Sequence, residues 1–274
     1  MMDPRTALDA VGLLPDAEID IADAALQLAR IDAPEADWWA ARRHLSELAR
    51  EVVDLARGVP PDDIMTRARV LALLLAARHG YAGDAEDYDN PRNANLLHVI
   101  ERRRGMPVAL GILWLHAARA AGWAAHGVDF PGHFLFALEG GGMTVLDVFA
   151  GGRPMDSRAL LGLLRSVEGP RAELRPGLLA PMSTHAVLLR LANNVKLRRL
   201  AADDFAGALA SAEDMLRIAP DAARLWQEAG MLNAELDRVS AAMGCYEHFL
   251  QLVPRGEAAA RVQSAMQQLR SRLN

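Results

Sequence analysis

Cysteine is nearly absent: in 274 residues only Cys245 carries a thiol. That excludes an internal disulfide framework and any multi-cysteine zinc or iron–sulfur site built from one chain, and it suits a reducing, cytoplasmic compartment. Aromatic residues are scarce at 5%, and positive charge is not in excess, since Lys+Arg 30 against Asp+Glu 35 leaves a formal net charge of -5. No global basic field exists to gather nucleic acid or anionic lipid, so neither is an expected partner. Long apolar runs are missing too. Val70 to Ala77 and Pro107 to Ala118 are the longest, short of the roughly 20 residues that span a bilayer. The opening Met-Met-Asp-Pro-Arg has neither the basic nor the apolar part of a secretion signal.

What is present is a 51% hydrophobic chain, enough to bury one core or several. Residues 1–85 read as a helical region, with Ile21, Ala24, Ala25, Leu28 and Ala29, then Leu45, Leu48, Ala49, Val52 and Leu55, at helical spacing. Pro60-Pro61 separates these from a third helix near Asp63 to Arg78, which Gly80 ends as a left-handed cap. A second domain, 86–182, opens with a turn-rich entry that includes Asn90-Pro91. Its segment Pro107 to Ala121 is apolar on nearly every face except Arg119, the pattern of a helix buried on all sides. Short runs at Ala124 to Phe130, His133 to Leu138 and Met143 to Phe149 predict strands, with Gly140-Gly141-Gly142 as a hairpin connection. One helix on an antiparallel sheet is an α+β layout. Four prolines between 151 and 181, around a short helix at Asp156 to Leu164, predict a wrap and linker.

From 183 to 274 the chain is helical again, with a period of 34 residues linking Leu191 to Leu225, Ala208 to Ala242, Leu216 to Leu250 and Pro220 to Pro254. The pattern resembles tetratricopeptide repeats: two antiparallel helices per unit, two units, then a terminal helix at Gly256 to Leu273. So short an array needs neighbouring structure to stand on.

Four strings, Asp89-Asn90-Pro91-Arg92-Asn93-Ala94-Asn95-Leu96, Glu101-Arg102-Arg103-Arg104-Gly105-Met106-Pro107, Phe130-Pro131-Gly132-His133-Phe134 and Leu146-Asp147-Val148-Phe149, together with the order of the three regions, resemble the Sir-B-type family of bacterial transglutaminase-like proteins with tetratricopeptide repeats. The resemblance implies a papain-like core, mostly helical overall, with a central helix packed on an antiparallel sheet. In active members of the wider superfamily a Cys opens the central helix, a His opens the next strand and an Asp follows on the strand after. That order has a physical basis: a helix N-terminus lowers a thiol pKa, an imidazole takes its proton, and a carboxylate fixes the imidazole tautomer. His133 and Asp147 match the last two. The Cys position falls on Pro107, and a slip of one or two residues reaches Val108 or Ala109, none of which bears a nucleophile.

Cys245 sits in the second repeat, where a free Cys reads as a small buried hydrophobe, and Thr144 and Ser157 read as strand or loop positions away from the start of the central helix. A metal set of His116, His126 and His133 with Asp147 or Asp129 follows no recognised zinc spacing, so no metal or cofactor is expected. Arg102, Arg103 and Arg104 precede the central helix, where cations oppose the helix dipole; they call for carboxylate partners, with Asp87, Asp89 and Glu101 in reach, or for a bound anion. Arg92, Asn93, Arg103, Arg104 and His133 are the candidate binding residues. The expectation is a catalytically degenerate transglutaminase-like protein that binds a protein or peptide in the core groove or on the concave face of the repeats. The alternative is a hydrolase or acyltransferase in which His133, held by Asp147, acts on water. Nothing in the sequence sets an oligomeric state.

Overall fold

The structure, a computed structural model, describes residues 2–272. Its helices are α1 (Pro4–Leu13), α2 (Ile21–Asp32), α3 (Trp38–Leu55), α4 (Ile64–Ala72), α5 (Leu96–Arg102), α6 (Pro107–Ala120), α7 (Ser157–Glu168), α8 (Thr184–Ala201), α9 (Phe205–Ile218), α10 (Ala223–Glu235), α11 (Val239–Leu252) and α12 (Glu257–Arg272). Its strands are β1 (Ala82–Gly83), β2 (Arg104–Gly105), β3 (Ala125–Phe130), β4 (His133–Glu139), β5 (Met143–Asp147), β6 (Arg153–Pro154) and β7 (Pro181–Met182). The chain divides into two compact units, residues 15–191, and residues 1–14 with 192–274. These units cut across the three-part division read from composition, because α2 and α3 pack on α6 and share its core.

In the 15–191 unit the sheet runs β6-β5-β4-β3-β7, with every neighbour antiparallel. Helix α6 starts at Pro107, whose missing N–H has no intrahelical acceptor to lose at that position. It lies on one face of the sheet, where Trp114 packs on Phe136 at 5.6 Å between ring centroids. Phe134 fits beneath it only because residues 111 and 127 are glycine: a Cβ on Gly111 would stand 2.1 Å from the Phe134 ring, and one on Gly127 2.7 Å. The opposite face carries Val128, Phe130, Leu135, Ala137 and Val145, and these join Met155, Leu160 and Leu164 in a second core cluster.

That second cluster corrects the reading of 151–181 as a linker. The segment adds β6 to one edge of the sheet, covers the second face with α7 and returns β7 to the other edge. Its prolines fit because Pro154 and Pro181 sit in two-residue edge strands, where a lost N–H breaks no central ladder. The third helix also departs from expectation. It is α-helical to Ala72 and then widens into a π-helical turn, Leu73–Arg78, before Gly80 takes φ +72.

In the other unit the 34-residue period is written into the backbone. Asp203 and Asp237, one period apart, both take φ +56 where α8 and α10 end. Helices α11 and α12 share a core of Ala242, Tyr246, Phe249, Val262, Met266 and Leu269. The unexpected member is α1, which packs against α9. Leu8 is fully buried, Arg5 Nε lies 2.8 Å from Asp214 Oδ1, and Arg217 Nη1 lies 2.8 Å from Asp9 Oδ1. The first helix of the chain thus belongs to the repeat unit.

Candidate functional site

Three short segments converge at the start of α6. Strand β1 pairs with β2 in parallel, Gly83 N donates to Phe149 O at 3.0 Å, and Met106 N donates to Asn93 O at 3.1 Å. From the sheet, β4 opens on His133 and β5 closes on Asp147. His133 Nε2 and Asp147 Oδ1 are 3.0 Å apart, with the carboxylate buried and the imidazole half-buried. The same oxygen accepts from the backbone N–H of Phe149 at 3.1 Å and of Ala150 at 3.3 Å. Burial alone would raise the carboxyl pKa, but the His133 bond and the two backbone donors outweigh it and hold Asp147 below the ordinary value. An ionised Asp147 accepts from Nε2–H, which leaves Nδ1 of His133 as the basic nitrogen. Phe149 stands edge-on to His133 at 6.2 Å, and Tyr88 stands edge-on to Phe149 at 5.8 Å.

The residues that open α6 carry no nucleophile. Pro107, Val108 and Ala109 are all buried and bear no thiol or hydroxyl. Beside the dyad a cavity of about 430 Å³ is lined by Asp147, Arg153, Pro154, Met155, Asp156 and Leu163, among others. Arg153 approaches Asp147 at 3.8 Å. Cys245 lies on α11, its Sγ 3.8 Å from Asn233 Nδ2, and burial pushes its thiol pKa up, away from the reactive range.

The proposed binding residues separate. Asn93 is fully buried and its amide is committed: Nδ2 donates to Asp87 O at 2.7 Å, and Oδ1 accepts from Arg102 at 3.0 Å. It holds the loop rather than presenting a surface, which corrects its assignment as a binding residue. Arg102 pairs with Asp84 at 2.8 Å, a carboxylate outside the three expected in reach. Arg104 donates to Gly80 O at 2.9 Å and to Arg103 O at 3.0 Å. Arg103, in the left-handed region at φ +58, donates from Nη1 to His44 Nε2 and to the Tyr81 hydroxyl. Arg92 and Arg103 both line a larger cleft of about 930 Å³ between α3 and α5, on which His133 does not border. Sequence reasoning missed His44, Tyr81 and Asp84, whose partners lie 18 to 59 positions away.

The histidines weighed as metal ligands are also apart. His116 faces Leu45 O at 3.0 Å, His126 pairs with Glu139 at 2.9 Å, and Asp129 pairs with Arg190. Among the described residues no group of three or more His, Cys, Asp or Glu is placed to hold a metal ion. No helix among them is long and apolar enough to cross a membrane.

With this geometry in view, the similarities to known proteins are informative. The profile of the transglutaminase-like superfamily matches residues 40–193, and that of the tetratricopeptide repeat matches 195–267. A UPF0162 protein of Pseudomonas aeruginosa is 32% identical over 240 residues, covering 86% of this chain and 85% of that protein. One from Xylella fastidiosa is 29% identical over 245 residues, covering 87% and 86%. One from Vibrio cholerae is 28% identical over 243 residues, covering 88% and 89%. The chain belongs to the transglutaminase-like superfamily, alongside the UPF0162 proteins, and joins that core to tetratricopeptide repeats.

Proposed function

We propose that this protein is a catalytically degenerate transglutaminase-like protein that acts as a protein-interaction or regulatory module of the cytoplasm. The observation that carries the reading is Pro107 at the first position of α6, followed by buried Val108 and Ala109, beside an intact His133–Asp147 pair. A base and its orienting carboxylate without a nucleophile cannot form an acyl-enzyme. The pair then serves the fold, because Asp147 also satisfies two backbone N–H groups that would otherwise lie unpaired in a half-buried turn. Resemblance to the Sir-B-type family adds the regulatory character. The partner is a protein or peptide, taken in the groove beside the dyad or on the repeats, where Met231 and Leu197 are exposed.

The test is an acyl-transfer assay on the purified chain with a glutamine peptide, supplying either a primary amine or water as acceptor. No turnover is expected, and alkylating Cys245 leaves partner binding intact. A second reading draws on the free Nδ1 of His133, which would make the dyad a base acting on water. Hydrolysis of an activated ester that disappears in His133→Ala, with the fold retained, would establish that reading and sink the first.

A further inference from the structure

The cleft between α3 and α5 lies outside the chemistry of the dyad, and its electrostatics are unusual. Its volume of about 930 Å³ falls in the range of ligand-binding clefts, roughly 300 to 1,000 Å³. Arg103 stands at its edge and makes no ion pair among the described residues, with Glu101 lining the same cleft. One nitrogen, Nη1, bonds to His44 and Tyr81, while Nε and Nη2 make no hydrogen bond among the described residues. Both partners are neutral. Burial, reinforced by the neighbouring Arg103 and His79, pushes His44 down to about 4, and burial pushes the Tyr81 phenol up. The tautomer is consistent along the chain of contacts: His44 Nδ1 faces Glu47 at 3.5 Å, leaving Nε2 to accept from Arg103. A guanidinium so placed keeps its charge and part of its donor fork for a ligand oxyanion.

Arg92, also lining the cleft, is exposed, and its guanidinium makes no hydrogen bond or ion pair among the described residues. It precedes α5 and Arg103 follows it, so the two cations flank a helix about 10 Å long. An extended peptide covers that length of backbone in three to four residues at about 3.3 Å each. The facing loop contributes Asp32, Glu35 and Asp37. Asp37 is occupied in capping α3 through Ala40 N at 2.9 Å, but Glu35 has no partner among the described residues. A uniformly acidic ligand is repelled by that loop. A chain whose acidic side chains point to α5 and whose basic ones point to the loop satisfies both walls, and alternation along an extended strand provides that division.

We propose that the α3–α5 cleft binds an extended peptide segment of mixed charge, with acidic residues about four apart on one face that reach Arg92 and Arg103, and basic residues on the other face toward Glu35. This is independent of whether the dyad is inert.

The experiment is calorimetric titration of the full chain with acetyl-Glu-Lys-Ala-Lys-Glu-amide, with acetyl-Gln-Lys-Ala-Lys-Gln-amide, and with inorganic phosphate. Binding of the first peptide is expected to weaken about tenfold in Arg103→Gln and in Arg92→Ala, the size of one lost charge-assisted contact. Because Arg92 supports nothing else in the fold, its variant reads binding alone even if Arg103→Gln perturbs the Tyr81 contact. Glu35→Gln should weaken the same peptide by a smaller factor. Equal binding of the Gln peptide, unchanged affinity in Arg92→Ala, or phosphate binding as tightly as the peptide would each overturn the assignment. So would failure of the first peptide to bind at all.

Discussion

The two units of this protein reach order by opposite routes. In the repeat unit the decisive contacts recur at a fixed interval, so that Asp203 and Asp237 take the same left-handed turn and Pro220 and Pro254 end the same helix one period apart. In the 15–191 unit the decisive polar contacts follow no repeat and reach across the sequence: Asn95 Nδ2 reaches Ala29 O at 2.9 Å, Arg119 Nη2 reaches Thr184 Oγ1 at 2.8 Å, and Arg102 reaches Asp84. Periodic structure tolerates the loss of a contact because neighbours repeat it. A non-repeating polar network fails where it is cut, because the buried partner left behind has no substitute. The cleft lined by Arg92 and Arg103 and the one lined by Arg153 both lie in the second kind of structure.

The sharpest way to break this contrast is to remove the one non-periodic piece of the repeat unit. Truncating residues 2–14 deletes buried Leu8 and leaves Asp214 without Arg5. The expected loss is roughly 2–4 kcal/mol, from one buried aliphatic side chain and one ion pair of a carboxylate that keeps Arg217 at 3.7 Å. Hydrogen exchange should show amides of α9 deprotected while those of α6 keep their protection. Protection of α9 unchanged by the truncation would mean that α1 is an ornament.

A smaller effect is expected on the other side. Asp147→Ala strands the Phe149 and Ala150 N–H groups together with His133 Nε2, at a cost of about 1–3 kcal/mol. Chemical denaturation measures it, and Asp147→Asn should recover part of the loss, since its amide oxygen still accepts. If Ala and Asn are equally stable, the carboxylate is not what holds the turn.

How far each region was legible follows from the same contrast. The uniformly apolar run of α6, the glycine hairpin, the order His133 then Asp147, and the repeat period are all local signals, and the helix, the hairpin and the hydrogen-bonded pair stand where they point. The second face of the sheet was hidden because α7 looks amphipathic and solvent-bound until Leu160 and Leu164 are seen against Val128 and Phe130. The role of α1 was hidden because Asp9 and Arg217 are 208 positions apart. The arginine run announced a need for partners but not their identity: Asp84 lies just outside the acidic cluster 87–89, and His44 lies in a helix whose pattern reads only as apolar stripe and polar face.

The titration of two buried groups, His44 and Asp147, sharpens the comparison within the 15–191 unit. His44 is held neutral, about 4 in the fold against 6.5 for the free side chain. The unfolded chain therefore binds the extra proton between those values, so stability is full above about 6.5 and falls as pH drops toward 4. Asp147 is shifted below its ordinary 3.8, so its contribution is present above that value and is lost only at lower pH. Thermal midpoints followed against pH should show a decline through the first window that His44→Gln flattens, and a later one that Asp147→Asn flattens. A single decline insensitive to His44→Gln would show that Arg103 is not held by a neutral imidazole.

The smallest expected effect probes whether the start of α6 is a nucleophile position. Pro107→Cys puts a thiol at the first position of α6, where the helix dipole favours the thiolate and His133 Nδ1 is the available base. Its pKa should fall below the reference of about 8.5. Val108→Cys supplies the control, since the next side chain turns about 100° round the helix and residue 108 is itself 1% exposed among apolar neighbours, a setting that raises a thiol pKa. Because both positions are buried, alkylation rates would mix access with acidity, and the ultraviolet absorbance of the thiolate against pH separates the two. A lowered pKa at 107 that returns toward the reference in Pro107→Cys with His133→Ala identifies that position as the vacated nucleophile site. Equal titration of the two cysteines, or indifference to His133→Ala, would show that the ancestral nucleophile stood elsewhere and that the dyad faces a different space.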